Sequence, residues 1–413
     1  MGEAGEPLCT AGTAAADLAD LIGTPWGRRF CQGSGGLGDQ NPRQFVTEKP
    51  PTPVGERGIS PDMSRVPELA SLRAELRVAG LFEHHEGRSW LKLLFLMSGV
   101  ALCLTGVALY GWLPALLLIP LASVLATAAA MLGHEGSHKS FSPSPTRNTL
   151  LTHLVFPAFA GLSALYWREK HDRLHHGHPN VEGLDPDIRP WPFASSKGDH
   201  LRGGGKLQWF QRTCQRWAFW PLTSQMAVGM RRASFIHLAA HARKHGRDRA
   251  WWFDVTSQVI HYVSWLVVPT IVFGPLPTLA VYLTMWSGVG LLLALIFAPA
   301  HMGLPIMAEQ RHDWVHQLET TRNLELPRFV SFFFIGLDYQ VEHHLFPKIP
   351  HKHLPRAAAI TAAWCAKNGL VHLSEPYMHA LKDASGFIGD AWQHDAHSPI
   401  AVRAGLVGHQ LAA

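Results

Sequence analysis

Three short segments of the sequence carry histidines at spacings that suit metal binding. They are HEGSH at 134–138, HDRLHH at 171–176 and QVEHH at 340–344. Residues four apart share one face of a helix, so His134 and His138 can address one cation. Adjacent helical residues point about 100° apart, so His343 and His344 can reach two metals, or one metal and one other partner. The segments therefore predict a metal centre.

The type of ligand narrows the choice of metal. So many imidazoles, without an obvious set of inward carboxylates, argue against magnesium and calcium, and imidazole suits iron, zinc, copper and nickel. One tetrahedral zinc ion needs only four ligands, so the surplus predicts two metals, with iron the better candidate at a membrane edge. Neighbouring acids can orient imidazoles by accepting the second N–H, although a solvated or capping carboxylate is the commoner role. The acids concerned are Glu135, Asp172, Asp185, Asp187 and Glu342.

The His-x-x-x-His spacing alone is not specific, because 26 of the 413 residues are histidine. The same spacing recurs at His237/His241/His245, which we interpret as chance on a basic surface helix. His261 lies near the start of an apolar segment, where a neutral hydrogen-bonded imidazole is expected. Four further histidines are also predicted not to bind metal. They are His153, His178, His312 and His316.

The elements that must position these histidines are membrane segments. Lys92 is the only charged residue from 91 to 133, and residues 255–300 contain none. These stretches predict four spanning helices in two hairpins. The expected bounds are about 91–112, 115–132, 257–274 and 278–299. Residues 150–167 are apolar but interrupted, which predicts an interfacial or re-entrant element, with a fifth span as the alternative.

The distribution of basic residues predicts the orientation in the membrane. The two hairpin turns, 110–114 and 274–278, have no Lys or Arg, whereas the region between the hairpins has many. By the positive-inside rule, both termini and that middle region are expected in the cytoplasm. His134 and His301 then lie where a span enters the cytoplasm, on the same side as the other histidines.

Composition sets further bounds. The net charge is +5, and no basic stripe interleaved with aromatic residues is present, so no nucleic-acid partner is expected. The five cysteines are scattered and predict unpaired thiols.

Residues 1–62 are predicted to be disordered, 63–385 to form the membrane domain and 386–413 to be a loose tail. Met63 is a candidate for the native start.

The three histidine segments resemble the boxes of the membrane fatty acid desaturases, HX(3–4)H, HX(2–3)HH and (H/Q)XXHH, in that family's order. Residues 175–180 with 185–187 resemble the extension of the second box. Residues 317–323 and 336–339 resemble the run before the third. The resemblance covers about residues 65–380, and Gln340 is similar to the residue that opens the third box in the front-end and acyl-lipid branch.

The resemblance implies an all-α integral membrane protein, with four transmembrane helices and a cytoplasmic helical cap that holds two iron ions. It implies O₂-dependent desaturation, with two electrons, of an acyl chain carried by a lipid, CoA or acyl carrier protein. Gln340 is implied to hold a metal-bound water, and Ala300 stands where the family often has Asn. The implied ligands are His134, His138, His171, His175, His176, His301, His343 and His344.

The sequence differs from the front-end branch in its expected source of electrons. Members of that branch commonly carry a fused cytochrome b5 domain. The His-Pro-Gly-Gly motif of that domain does not occur in the sequence. We therefore expect a separate ferredoxin, or cytochrome b5 with its reductase. The basic segment 231–249 is a candidate docking surface for an acidic carrier, with contact to anionic lipid headgroups as the alternative.

Two other functions remain as alternatives. A hydroxylase or ketolase would use the same metal centre but insert oxygen. A metal transporter or metal-binding membrane protein would need ionisable residues within its spans, and the absence of Asp, Glu, Lys and Arg from 255–300 argues against it.

Overall fold

The computed structural model describes residues 68–188, 191–309 and 314–396. The predicted disorder of residues 1–62 and the candidate start at Met63 lie outside these ranges. The described part is mostly helical, as the predicted all-α class requires. It also contains one parallel pair of three-residue strands, Asn323–Glu325 and Ser374–Pro376.

Among the described residues, four helices are long and apolar enough to cross a membrane, which is the number that the sequence predicts for two hairpins. They are the first span, Glu86–Tyr110, the second, Trp112–Ser137, the third, Arg249–Phe273, and the fourth, Pro275–His301. Gly111 and Gly274, with φ of 78° and 84°, each join two consecutive spans. A residue with a side chain is strained at such φ, so glycine lets one span follow the next after a single residue.

The interrupted apolar stretch forms a bent pair of helices, Pro145–Ala160 and Ala164–His175, at 112° to each other. Gly161, with φ of 69°, lies at the bend. A Cβ atom there would approach the ring of His261 to 2.6 Å, so the close packing also requires glycine. The pair is either one broken span or a re-entrant loop.

Shorter helices follow the bent pair and the fourth span. Between the bent pair and the third span they are Lys197–Arg202, Gly205–Thr213, Gln215–Thr223 and Met226–His245. After the fourth span they are Val315–Thr320, Arg328–Phe334, Gln340–Leu345, Leu354–Lys367 and Tyr377–Asp390, with 3₁₀ turns at His351–His353 and Ala391–Gln393. The last helix crosses the predicted tail boundary at 386, and Ile388 on it is fully buried.

Two apolar cores hold the histidine segments in place. The larger core joins the first, second and fourth spans to the bent pair. The smaller core joins the helix Leu69–Val78, through Leu72 and Leu76, to Val341 and Leu345 beside the third histidine segment. Burial of such side chains contributes roughly 1.5–3 kcal/mol each, so the smaller core anchors the third segment to this helix.

The predicted basic surface at 231–249 is wrong at its first residue. Arg231, on the helix Met226–His245, is only 6 % exposed, because it packs against the fourth span. Arg232, Arg243 and Lys244 on the same helix are exposed. The basic surface therefore begins at Arg232.

Candidate metal centre

The structure brings the eight predicted histidines into two adjacent groups. Within each group, one ring nitrogen per residue lies within 4.8 Å of the others. The five-histidine group is His134, His138, His171, His176 and His343. The three-histidine group is His175, His301 and His344.

Local helix geometry explains the first box. His134 and His138 lie at the end of the second span, four residues apart, and their Nε2 atoms are 3.2 Å apart. The second box lies on a π-helical segment, Arg168–His175, at the end of the bent pair. π-Helical turns inside helices are frequent at functional sites. His171 there lies beside the first box, its Nε2 atom 2.8 Å from that of His134.

Each pair of consecutive histidines is divided between the two groups. His175 and His344 belong to the three-histidine group, while His176 and His343 belong to the five-histidine group. The divergence of adjacent helical side chains accounts for this division. The groups touch where the rings of His176 and His344 stack, with centroids 4.2 Å apart.

The imidazoles of the three-histidine group each have one hydrogen-bonding residue at Nδ1. The Nδ1 atoms of His175, His301 and His344 lie 3.1, 3.1 and 3.0 Å from Asp185, the carbonyl of Thr320 and Oε1 of Gln317. All three partners accept, so each Nδ1 carries the proton and each Nε2 is left as an acceptor. A fixed tautomer of this kind orients a metal ligand.

The five-histidine group is held more loosely. His138 lies 3.6 Å from Asp172, and His171 lies 3.8 Å from Asp187, both beyond hydrogen-bond distance. Neither ring nitrogen of His176 has a hydrogen-bond partner in the described part of the chain. These rings instead pack edge to face against one another, as His138 and His176 do at 4.4 Å.

Burial and crowding favour the neutral imidazole at His138, His176, His343 and His344. Desolvation, followed by the neighbouring histidines, holds the pKa of His176, His343 and His344 well below the usual range. Desolvation also lowers the pKa of His138, against the opposing effect of Asp172. A metal ligand must be neutral imidazole, so the site favours the binding-competent form.

The residues fit a metal centre. The Nε2 atoms of His301, His343 and His344 and both ring nitrogens of His176 are buried without a hydrogen-bond partner among the described residues. Buried polar atoms are normally paired, so this concentration of unpaired ring nitrogens fits bound cations. An all-imidazole donor set suits iron, zinc, copper or nickel.

The five acids considered from the sequence have different positions. Asp185, Asp172 and Asp187 lie beside grouped histidines, with Asp185 closest. Glu135 and Glu342 instead pair with His351 and His372, at 2.9 and 2.7 Å. These two therefore connect the site to the surrounding helices.

Gln340, predicted to take part in catalysis, is 1 % exposed. Its amide nitrogen and oxygen have no hydrogen-bond partner within the ranges that the structure describes. Its role stays a prediction. Two residues beside the site were missed: Gln317, which holds His344, and Asn180, whose amide donates to the carbonyl of His301 at 3.0 Å. Both amides lie in the stretches that carry the family resemblance, which was the available indication.

Most histidines predicted not to bind metal have other partners. His153 stacks on Phe253 at 4.1 Å, and Nε2 of His316 lies 2.7 Å from the carbonyl of Pro179. His261 contacts the carbonyl of Phe159 and the hydroxyl of Tyr282, at 2.7 and 2.8 Å. His312 lies outside the described residues.

An apolar cavity of about 100 Å³ adjoins the two groups. We call it the chamber; His171, His175 and His301 form part of its wall, and Lys170 and Asp187 form an ion pair on it. The remaining wall is mainly apolar and includes Trp167, which stacks on His171 at 4.4 Å. A larger groove of about 580 Å³, beside the helix Arg328–Phe334, has none of the eight histidines in its wall.

Comparison with known proteins agrees with this geometry. The sequence model described as "Fatty acid desaturase" matches residues 110–376, which is more than half of the chain. The chain belongs to the fatty acid desaturase family. With its four apolar helices, this fatty acid desaturase family member is a membrane protein.

Several curated relatives are 26–28 % identical to it over the aligned residues. Identity is 28 % to the fatty acid desaturase 2-like protein of Mus musculus, over 66 % of this chain and 55 % of the relative. It is 26 % to fatty acid desaturase 3 of Bos taurus, over 66 % and 60 % respectively. It is also 26 % to fatty acid desaturase 3 of Homo sapiens, over 68 % and 63 %. The chain thus spans 55–63 % of the length of these relatives.

Proposed function

We propose that this protein is an O₂-dependent fatty acyl desaturase with two iron ions. The supporting observation is that two groups of imidazoles adjoin an apolar chamber in a chain of this family. Overall, a CH₂–CH₂ unit, O₂, two electrons and two protons would yield a CH=CH unit and two molecules of water. The substrate is an acyl chain attached to a lipid, CoA or acyl carrier protein.

The eight histidines would hold the irons, which supply the oxidising power that no side chain has. The chain's own residues orient the histidines and bind the acyl chain. Asp185, Gln317 and the carbonyl of Thr320 fix the tautomers of the three-histidine group. The apolar chamber excludes water and aligns the acyl chain past His171. Gln340, with its unpartnered amide, is proposed to hold a water at the centre.

We further propose that the four spans form two hairpins, with both termini, the histidines and a helical cap on the cytoplasmic side. The basic residues between the second and third spans support this orientation. Electrons would come from a separate ferredoxin, or from cytochrome b5 with its reductase. The exposed Arg232, Arg243 and Lys244 offer a docking surface for an acidic carrier.

Expression in a host with a defined lipid profile tests the activity. New double bonds, located by mass spectrometry, are expected with the native chain, and loss of two hydrogens rather than gain of one oxygen distinguishes desaturation from hydroxylation. His344→Ala should abolish the product and lower bound iron. His245→Ala, which changes an exposed histidine, is the control. Full activity of His344→Ala would refute the site.

A further inference from the structure

A second unusual site lies away from the histidine groups, around Arg231. Its Nε–H donates to the carbonyl of Ala160 at the bend of the helix pair, at 2.9 Å. Its two terminal nitrogens, Nη1 and Nη2, are buried and have no acceptor within the described ranges. Among the described residues, the fold thus provides a hydrogen-bond acceptor for Nε and none for the two terminal nitrogens.

No carboxylate balances this charge. Among the described residues, Arg231 forms no ion pair with Asp or Glu, and its guanidinium lies over the rings of Trp286 and Tyr282, at 4.1 and 5.3 Å. His261, which also packs there, is already bonded to Tyr282 and to the backbone. Ring contacts stabilise a cation but offer no acceptor to an N–H group. A buried cation within a membrane protein is costly unless an anion approaches it.

The guanidinium faces a small cavity of about 30 Å³ with otherwise apolar walls. We call it the Arg231 cavity. Trp167, Met230 and Leu293 line both this cavity and the chamber beside the histidines. Its volume suits the end of a chain rather than a whole ligand. Trp286, beside Arg231, and His301 lie on one helix, about 22 Å apart along its axis at 1.5 Å per residue.

We propose that Arg231 binds the carboxylate at the end of a long apolar chain, the rest of which runs past Trp167 into the chamber. Two free nitrogens on one side of a guanidinium match the two oxygens of a carboxylate. The ligand class is therefore a long-chain carboxylate. It is either an unesterified fatty acid or an acyl thioester whose far end carries a carboxylate. This inference rests on the proposed function in one respect only, which is that the bound apolar chain is desaturated at the histidines.

Binding to the purified full-length protein in phosphatidylcholine nanodiscs tests the proposal, without electron donor. The probes are stearate and stearyl alcohol, and, for the second source, the mono-CoA thioester of octadecanedioic acid and stearoyl-CoA. One carboxylate probe is expected to bind at least about tenfold more tightly than its neutral partner, as charged hydrogen bonds allow. The probe pair that shows this preference identifies the source.

Three variants sharpen the test. Arg231→Met should remove the preference, Arg231→Lys should retain part of it, and Arg212→Met, at an exposed arginine on another helix, should leave it unchanged. Equal binding of acid and neutral probes by the native protein overturns the proposal even if Arg231→Met fails to fold. A preference that survives in a folded Arg231→Met also overturns it. Tight, Arg231-dependent binding without any double-bond formation would count against the desaturase function alone.

Discussion

The two histidine groups touch each other but are held differently. In the three-histidine group every imidazole has one hydrogen bond to a fixed acceptor, such as Asp185 or Gln317. In the five-histidine group the nearest carboxylates stand off at 3.6 Å or more from His138 and His171, and imidazole packs on imidazole. The smaller group thus depends on precise orientation, and the larger group has ligands to spare.

The two groups should differ most in bound iron and activity when one of their histidines is removed. His344→Ala leaves two imidazoles in its group, so bound iron should fall by about half and desaturation by more than about 100-fold. His138→Ala leaves four imidazoles, enough for a tetrahedral site, and should retain most of the iron. Iron content by mass spectrometry and product yield measure both effects. Equal iron loss in the two variants would contradict the comparison.

The second-largest effect on iron content is expected at Arg322, which binds the backbone on both sides of His301 at the end of the fourth span. Its buried guanidinium donates to the carbonyls of Pro299 and Met302 and pairs with Glu375 at 3.0 Å. Arg322→Met should lower the free energy of unfolding by about 3 kcal/mol and reduce iron only at the three-histidine group. Thermal unfolding in nanodiscs and iron content are the measurements. Arg356→Met, at an exposed arginine, is the control.

A smaller effect should follow loss of the amide that orients His344. Gln317→Leu removes the acceptor for Nδ1, so iron affinity of the three-histidine group should fall about tenfold. Gln317→Glu supplies a carboxylate acceptor and should restore most of it. Competition with a chelator measures the affinity directly. If Leu and Glu behave alike, the hydrogen bond does not orient His344.

The smallest effect distinguishes the carboxylates beside the two groups. Asp172, at 3.6 Å from His138, should tolerate Asn with less than about a threefold change in iron affinity. Asp185, at 3.1 Å from His175, should lose about tenfold on the same change. Chelator competition on the two variants gives the ratio. A larger loss at Asp172 would reverse the assignment of the looser group.

Much of this organisation is predictable from the sequence. Long uncharged runs predict the spans, because few backbone structures other than a helix satisfy their hydrogen bonds within the hydrocarbon of a bilayer. The angle of about 100° between adjacent helical residues predicts that His343 and His344 point to different groups. The local spacing also selects His134 and His138. These features depend only on residues close together in the chain.

Other features depend on distant contacts. Gln317 and Asn180 approach His344 and His301 only after several helices have packed. Arg231 appears in the sequence as one of a run of basic residues, yet its contact with Trp286 removes it from the surface. A polar residue gives no local indication of whether solvent, an imidazole or an aromatic ring will be its neighbour.

The division of each consecutive histidine pair between the groups has a consequence for variation of the site. One peptide unit, with its fixed Cα–Cα distance of about 3.8 Å, connects the groups at 175/176 and again at 343/344. Two peptide units thus limit how far apart the groups can lie, and substitutions elsewhere do not alter that covalent limit. Side-chain changes can reshape the chamber and alter its specificity, while an insertion within either pair would change the spacing itself.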